Sequence, residues 1–424
     1  MHHFDYVNGV LHAEGVSLET IAAEVGSPAY VYSSATFERH YRVFSEALKP
    51  LDAHVFYAVK ANGNLGVLMT LARLGAGADT VSEGEIRKAL AAGIPASKIV
   101  FSGVGKTAQE LAFAVDAGIY QINVESEGEL EALSRVAAAK GKRQAAVLRV
   151  NPEIGAGGHA KITTGDAANK FGVSFAEAER LYAKAANMPG VSIMGLAAHI
   201  GSQVLEFSAY RAAFLKMRGV VETLRAQGHK VERLDLGGGV GVPYEMSYPY
   251  SHGPDTVHAY ADMVKEVTAG LNIELGFEPG RVIAGNAGIL LTKVLYINQR
   301  ADRTFLVVDA GMNDLVRPAM YEAYHEIWPV RQPAEGAATV AYDVVGPICE
   351  SGDTFTTARA MPKVAQGDLL VFKTAGAYGA TMSSTYNQRP LVPEVLVKGA
   401  DYAVTRPRQT YEELLGLDRA PDWF

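Results

Sequence analysis

Between residues 54 and 280, short apolar runs rich in β-branched residues alternate with longer stretches in which Ala, Leu and Glu recur at helical spacing. The apolar runs fall at 54–60, 78–81, 99–102, 120–124, 145–150, 193–199, 233–236 and 273–278. The stretches at 65–74, 83–92, 108–117, 127–140, 175–187, 209–226 and 257–270 read as helices. Short apolar runs without strict alternation suit strands buried on both faces, as in a parallel sheet covered by helices. Eight strand–helix units over this length predict an α/β fold built on a TIM-type (β/α)8 barrel, residues 33–285.

After Gly288 the texture changes to strand-like runs with little helical periodicity, at 290–297, 304–308, 339–345, 369–372 and 392–397. A second, mostly β domain is expected over 286–424. The segment 1–32, which holds Pro28-Ala29-Tyr30-Val31-Tyr32, is expected to complete it with a strand. Two long irregular stretches, 151–172 and 244–254, interrupt the barrel pattern. The first, with Gly155, Gly157, Gly158 and Gly165, reads as a lid, and the second as a surface insertion.

Composition narrows the partners. The chain has 424 residues, 48% of them apolar, and a formal charge of -7 with no basic cluster of the kind that tracks a phosphate backbone, which argues against nucleic acid. The N-terminal residues form neither a basic nor an apolar leader, and no segment has the length of a membrane-spanning helix, so a cytoplasmic protein is expected. A single cysteine, Cys349, excludes an internal disulfide framework and a multi-thiolate metal site.

The residues with chemistry gather at the ends of the predicted strands. Lys60 ends the run His54-Val55-Phe56-Tyr57-Ala58-Val59. An ammonium among such neighbours loses hydration, which favours a nucleophilic amine suited to Schiff-base formation, although a strand-end lysine reaching solvent has the same sequence. His199 ends the sixth run, either as a structural histidine or as a flat surface beside a cofactor ring, with Ser202 three residues on. Gly237-Gly238-Gly239 follow the seventh run and Glu278-Pro279-Gly280-Arg281 the eighth, where barrels commonly bind phosphate. A carboxylate such as Glu278 against a pyridine nitrogen favours the protonated, electron-withdrawing ring. Gly103-Val104-Gly105-Lys106-Thr107 looks like the tail of a P-loop, but Val100 stands where the first glycine is required. Cys349, in Gly346-Pro347-Ile348-Cys349-Glu350-Ser351-Gly352-Asp353, has a polar, turn-like setting, and a protonated thiol there is a proton donor for carbon. Tyr378, between glycines, offers a phenolic donor or is a packed aromatic.

Together these residues resemble the fold-type III pyridoxal-phosphate decarboxylases from about Tyr30 to Tyr386, through Tyr57-Ala58-Val59-Lys60-Ala61-Asn62, His199-Ile200-Gly201-Ser202, the glycine triplet and Glu278-Pro279-Gly280-Arg281. Arg317-Pro318-Ala319-Met320-Tyr321 and Cys349-Glu350-Ser351-Gly352-Asp353 are similar to the diaminopimelate decarboxylase family within that group, and residues 159–172 to its mobile loop. The resemblance implies pyridoxal 5'-phosphate held by Lys60. It places His199 against the ring, Glu278 at the pyridinium, and Ser202, Gly237, Gly238, Gly239, Pro279, Gly280, Arg281 and Tyr378 around the cofactor. Substrate contacts fall to Arg281, Arg317, Tyr321, Glu350 and Tyr378, and the proton donor to Cys349. It further implies decarboxylation of meso-2,6-diaminopimelate to L-lysine, and a head-to-tail homodimer in which Cys349 and Glu350 reach the partner's site. Arg317 and Tyr321, four residues apart, share a face if helical. The rivals are a related decarboxylase of another amino acid or a siderophore precursor, a non-catalytic pyridoxal-phosphate-binding homologue, and a phosphosugar-binding barrel, which leaves the Cys349 segment without a task.

Overall fold

A computed structural model describes residues 2–154, 170–245 and 254–423. The glycines at 155, 157, 158 and 165 in the expected lid, and most of the second irregular stretch, lie outside the described residues. Two compact units result, one of residues 38–242 and 250–283, the other of residues 1–37, 243–249 and 284–424.

The first unit is a closed barrel of eight parallel strands, Ala53–Ala58, Gly77–Thr80, Ile99–Phe101, Gln121–Val124, Gln144–Arg149, Val191–Ala197, Arg233–Asp235 and Glu274–Phe277. The last strand closes on the first through the Phe277–Val55 register. Helices follow the strands and begin at strong caps. Ser82 accepts from the Glu85 N–H, while Thr107 with Glu110 and Ser174 with Glu177 form reciprocal capping boxes. Such caps satisfy orphan donors at these helix starts and so fix where the strand-to-helix loops before them end. The α/β barrel expected from the apolar runs is present. Its first, sixth and eighth strands end earlier than the apolar runs suggested, at Ala58, Ala197 and Phe277. Lys60 therefore sits in a 3-10 turn, Val59–Ala61, and His199 and Glu278 sit just beyond their strands.

The second unit is mostly β. Its nine-stranded sheet carries strand Ala29–Ser33 in its interior, antiparallel to Gly288–Gln299 and parallel to Glu394–Lys398, so the N-terminal segment does complete the domain. Val31, Ile289, Leu291, Val371, Val395 and Val397 pack from that sheet onto Phe4, Leu11, Leu18 and Ile21 of the N-terminal sheet and helix. That shared apolar layer explains why a segment so distant in sequence is held there.

Candidate active site

At the C-terminal mouth of the barrel a cavity of about 320 Å³ is lined by Lys60, Ser102, Asn123, Arg149, Phe171, His199 and Glu278, among others. Each polar side chain comes from the end of a different strand or from the turn after it, the place where this fold exposes its variable loops. Lys60 Nζ lies 2.9 Å from Asp79 Oδ2, and Asp79 is fully buried at the second strand. The lysine thus enters the site paired with a carboxylate rather than merely desolvated.

Glu278 lies opposite in a carboxyl-rich pocket. Its Oε1 accepts from Asn123 Nδ2 at 3.0 Å and from Ser102 Oγ at 3.3 Å. Burial, reinforced by the neighbouring Asp235 and Asp79 carboxylates, pushes the Glu278 carboxyl well above the usual carboxylate range, while Lys60 and Arg149 pull the other way. Asp235 is itself pushed up to about 6, chiefly by burial, and its Oδ1 accepts from the Gly237 N–H at 2.9 Å. One carboxyl thus both faces Glu278 and holds the start of the glycine turn.

That turn has a structural reason for its composition. A Cβ on Gly238 would lie 2.0 Å from the Glu278 carbonyl oxygen, and one on Gly239 2.2 Å from that of Gly201. The Gly238 N–H donates to His199 Nδ1 at 3.2 Å, so that ring nitrogen carries no proton. Burial, then the charges of Arg149 and Lys60, hold the imidazole well below its ordinary pKa, which makes His199 a neutral, flat wall. Arg281 donates to Ser202 Oγ at 2.8 Å, bringing a cation to that hydroxyl. Pro279 accepts from the Ala58 N–H at 3.0 Å and Gly280 from the Ile283 N–H at 3.1 Å. The Gly103–Thr107 segment is indeed no P-loop: Lys106 is buried against the Gly103 and Asn123 carbonyls and Glu129.

The remaining candidates lie on the β unit. Arg317 opens the short helix Arg317–Tyr321, is buried, and donates to His325 Nε2 at 2.8 Å. Tyr321 closes the same helix, half-buried. Cys349 is exposed, with its N–H bonded to Asn387 Oδ1 at 2.7 Å, and Glu350 beside it accepts from the Tyr386 hydroxyl at 2.8 Å. Their loop is pinned from behind by Asp353, whose carboxylate accepts from the N–H groups of Met312 at 2.7 Å and Ile348 at 2.6 Å. Tyr378 adopts a left-handed backbone, φ 55°, beside Gly379, where a Cβ would lie 2.7 Å from the Tyr30 hydroxyl. Among the described residues no cluster of His, Cys, Asp and Glu has the arrangement of a metal site, and no helix is long and apolar enough to cross a membrane.

Residues 34–285 match the family model of the pyridoxal-binding domain of pyridoxal-dependent decarboxylases. The chain is 45% identical over 424 residues to diaminopimelate decarboxylase of Zymomonas mobilis, covering 99% of each chain. It is 46% identical over 411 residues to that of Pseudomonas aeruginosa, covering 97% of each. The chain belongs to the diaminopimelate decarboxylase family. A crystal structure of the M. jannaschii diaminopimelate decarboxylase in complex with L-lysine superposes with a TM-score of 0.93 at 34% identity, covering 99% of each chain. The family resemblance read from the motifs is therefore correct. For a member of this family, Ser102, Asn123, Arg149 and Asp235 are additions to the residues the motifs pointed to, and Asp79, which the sequence left open between orienting a cofactor and capping a turn, is paired with Lys60. Each is a single polar residue at or just after a strand end, and for the four other than Ser102 that interruption of an apolar run was the signal available in the sequence.

Proposed function

We propose that this chain decarboxylates meso-2,6-diaminopimelate at its D centre to L-lysine and carbon dioxide, the last step of lysine biosynthesis, with pyridoxal 5'-phosphate as cofactor. One observation carries the reading: a lysine amine, a neutral histidine wall and a buried glutamate surround one barrel cavity in a chain similar along its whole length to diaminopimelate decarboxylases.

The residues fit this cofactor. Besides Glu278, which lines the pocket, the buried carboxyls of Asp235 and Asp79 act on it against the cations Lys60 and Arg149, an excess of acid that suits a cationic ring nitrogen. Lys60 would hold the cofactor covalently, His199 would lie on its face, and Glu278 would pair with its ring nitrogen. Ser202, the glycine turn, Pro279, Gly280, Arg281 and Tyr378 would surround its remaining groups. Bound there, pyridoxal phosphate supplies the sink for the electron pair left when a carboxylate departs.

The chain's own residues do the rest. Asp79 orients the Lys60 amine through their 2.9 Å ion pair. Arg281 and Arg317 take the distal carboxylate, Glu350 the distal ammonium, and Tyr321 and Tyr378 complete the contacts. Cys349 delivers a proton to the carbon that has lost carbon dioxide. A pocket that pairs both distal groups rejects lysine and ornithine, because a missing carboxylate leaves a desolvated arginine, and discrimination of roughly 10⁴-fold is attainable this way. The working unit is a head-to-tail homodimer in which Cys349 and Glu350 serve the partner's barrel, and the enzyme is cytoplasmic.

Carbon dioxide release from meso-diaminopimelate, L-ornithine, L-arginine and L-lysine, with pyridoxal phosphate added, tests the reading. Turnover confined to meso-diaminopimelate is expected. Preference for another amino acid, or no turnover despite borohydride labelling of Lys60, overturns it.

A further inference from the structure

We propose that His325 is a positioning residue that aims Arg317 at the distal carboxylate and so sets substrate specificity, an inference that rests on the substrate reading above. The two side chains are both buried, at 3% and 6% exposure. Arg317 Nη1 lies 2.8 Å from His325 Nε2, and His325 Nδ1 lies 2.8 Å from the Lys373 carbonyl oxygen. A guanidinium only donates and a carbonyl only accepts, so these two contacts fix the ring as neutral with its proton on Nδ1.

The chain of contacts ends on rigid structure. The Lys373 N–H donates to the Glu326 carbonyl at 2.8 Å, continuing the antiparallel pairing of Ile327–Pro329 with Leu369–Phe372. The acceptor that holds His325 thereby extends a strand paired on both sides, with Gly288–Gln299 and with Ile327–Pro329. Glu322, in the left-handed region at φ 52°, ends the Arg317–Tyr321 helix and turns the chain, and His325 returns to Arg317 eight residues later. Tyr244 completes the setting: its ring centroid lies 4.5 Å from Arg317 Cζ, and it meets the His325 ring edge-on at 5.4 Å.

The chemical choice of partner matters. A carboxylate at position 325 would orient Arg317 but cancel its charge, whereas a neutral imidazole orients the charge and leaves it for a ligand. An arginine carries considerable rotamer freedom, and fixing it before the substrate arrives removes an ordering cost from binding. His325 acts through Arg317 rather than on reacting atoms or cofactor, so its effect belongs in KM for substrates with a distal carboxylate and nowhere else.

Steady-state kinetics of H325L, H325N and H325Q test this, with meso-diaminopimelate as substrate and D-lysine, which lacks the distal carboxylate, as substrate or competitive inhibitor. In H325L and H325N, KM for meso-diaminopimelate should rise about 10- to 100-fold, the size of a lost hydrogen bond to a charged group, with kcat within about threefold. The D-lysine constants should not move. H325Q, whose amide oxygen accepts from Arg317, should return KM to within about fivefold of wild type. Should the leucine variant fail to fold, asparagine, polar but too short to reach, carries the same test. Equal losses on both ligands, a fall confined to kcat, or no rescue by glutamine overturns the proposal. A wild-type enzyme inactive on meso-diaminopimelate instead overturns the substrate reading first, so the two failures are distinct.

Discussion

Glu278 is the residue whose environment says most about what must come to it. Burial and two neighbouring carboxylates push its carboxyl well above the ordinary range, so the folded protein without cofactor keeps this proton to higher pH than an ordinary carboxyl would. Unfolded, the same group ionises near its reference value of roughly 4.3. Folding therefore takes up a proton. This group's contribution is most favourable below the unfolded value and declines as pH rises toward the folded one, by up to about 1.4 kcal/mol per pH unit. Glutamine imitates the protonated acid, since its amide oxygen accepts from Asn123 and Ser102 and its amide N–H₂ donates to Asp235. In cofactor-stripped protein, Glu278→Gln should thus raise the thermal midpoint at pH 8 and flatten its decline between pH 5 and 8. With cofactor restored, the same variant should lose about 10²-fold or more in kcat, because a neutral amide does not stabilise a cationic ring. A midpoint at pH 8 below that of wild type would show that Glu278 is ionised in the fold.

At the scale of elements, the loop from Gly346 to Asp353 illustrates how a surface segment is made rigid. The Asp353 carboxylate accepts from backbone N–H groups of Met312 and Ile348, and the Gly346 N–H donates to the Asp353 carbonyl at 3.1 Å. A side-chain methyl at position 346 would lie 2.4 Å from Asp353 Oδ2, so only glycine fits. Cys349, at the exposed end of this loop, takes its orientation from that buried anchor. Asp353→Asn replaces one acceptor by a donor facing an N–H and should lower kcat about tenfold or more, while cofactor absorbance and the far-ultraviolet circular dichroism stay unchanged. Unchanged kcat in that variant would mean that the loop is held by other contacts. The same element shows the limits of sequence reading. The motif around Cys349 was legible as a motif, but the strand Thr354–Pro362 that follows was not, because it is short of apolar residues and half exposed along its length. Barrel strands were legible because burial on both faces writes each as an apolar run. Asp79 and Asn123 were not assigned roles, since a polar residue at a strand's end acquires one only when other strands bring Lys60 and Glu278 to it.

For the whole molecule, the division of labour between two units frames the last question. Lys60, His199 and Glu278 belong to the barrel, and Arg317, Cys349 and Glu350 to the β unit. If the β unit of one protomer completes the barrel site of its partner, the two sets of residues can be disabled on separate chains and recovered by exchange. A Lys60→Ala chain keeps Cys349, and a Cys349→Ala chain keeps Lys60. In a heterodimer of the two, one site unites both intact residues and the other lacks both, so full random exchange should restore roughly a quarter of wild-type activity from two inactive parents. A site completed within one chain gives the opposite result: every chain lacks one essential residue, whatever its partner, and exchange verified by mass-tagged subunits restores nothing. The experiment needs no knowledge of how the units are arranged, because complementation reports only whether the amine and the thiol that act together come from the same chain.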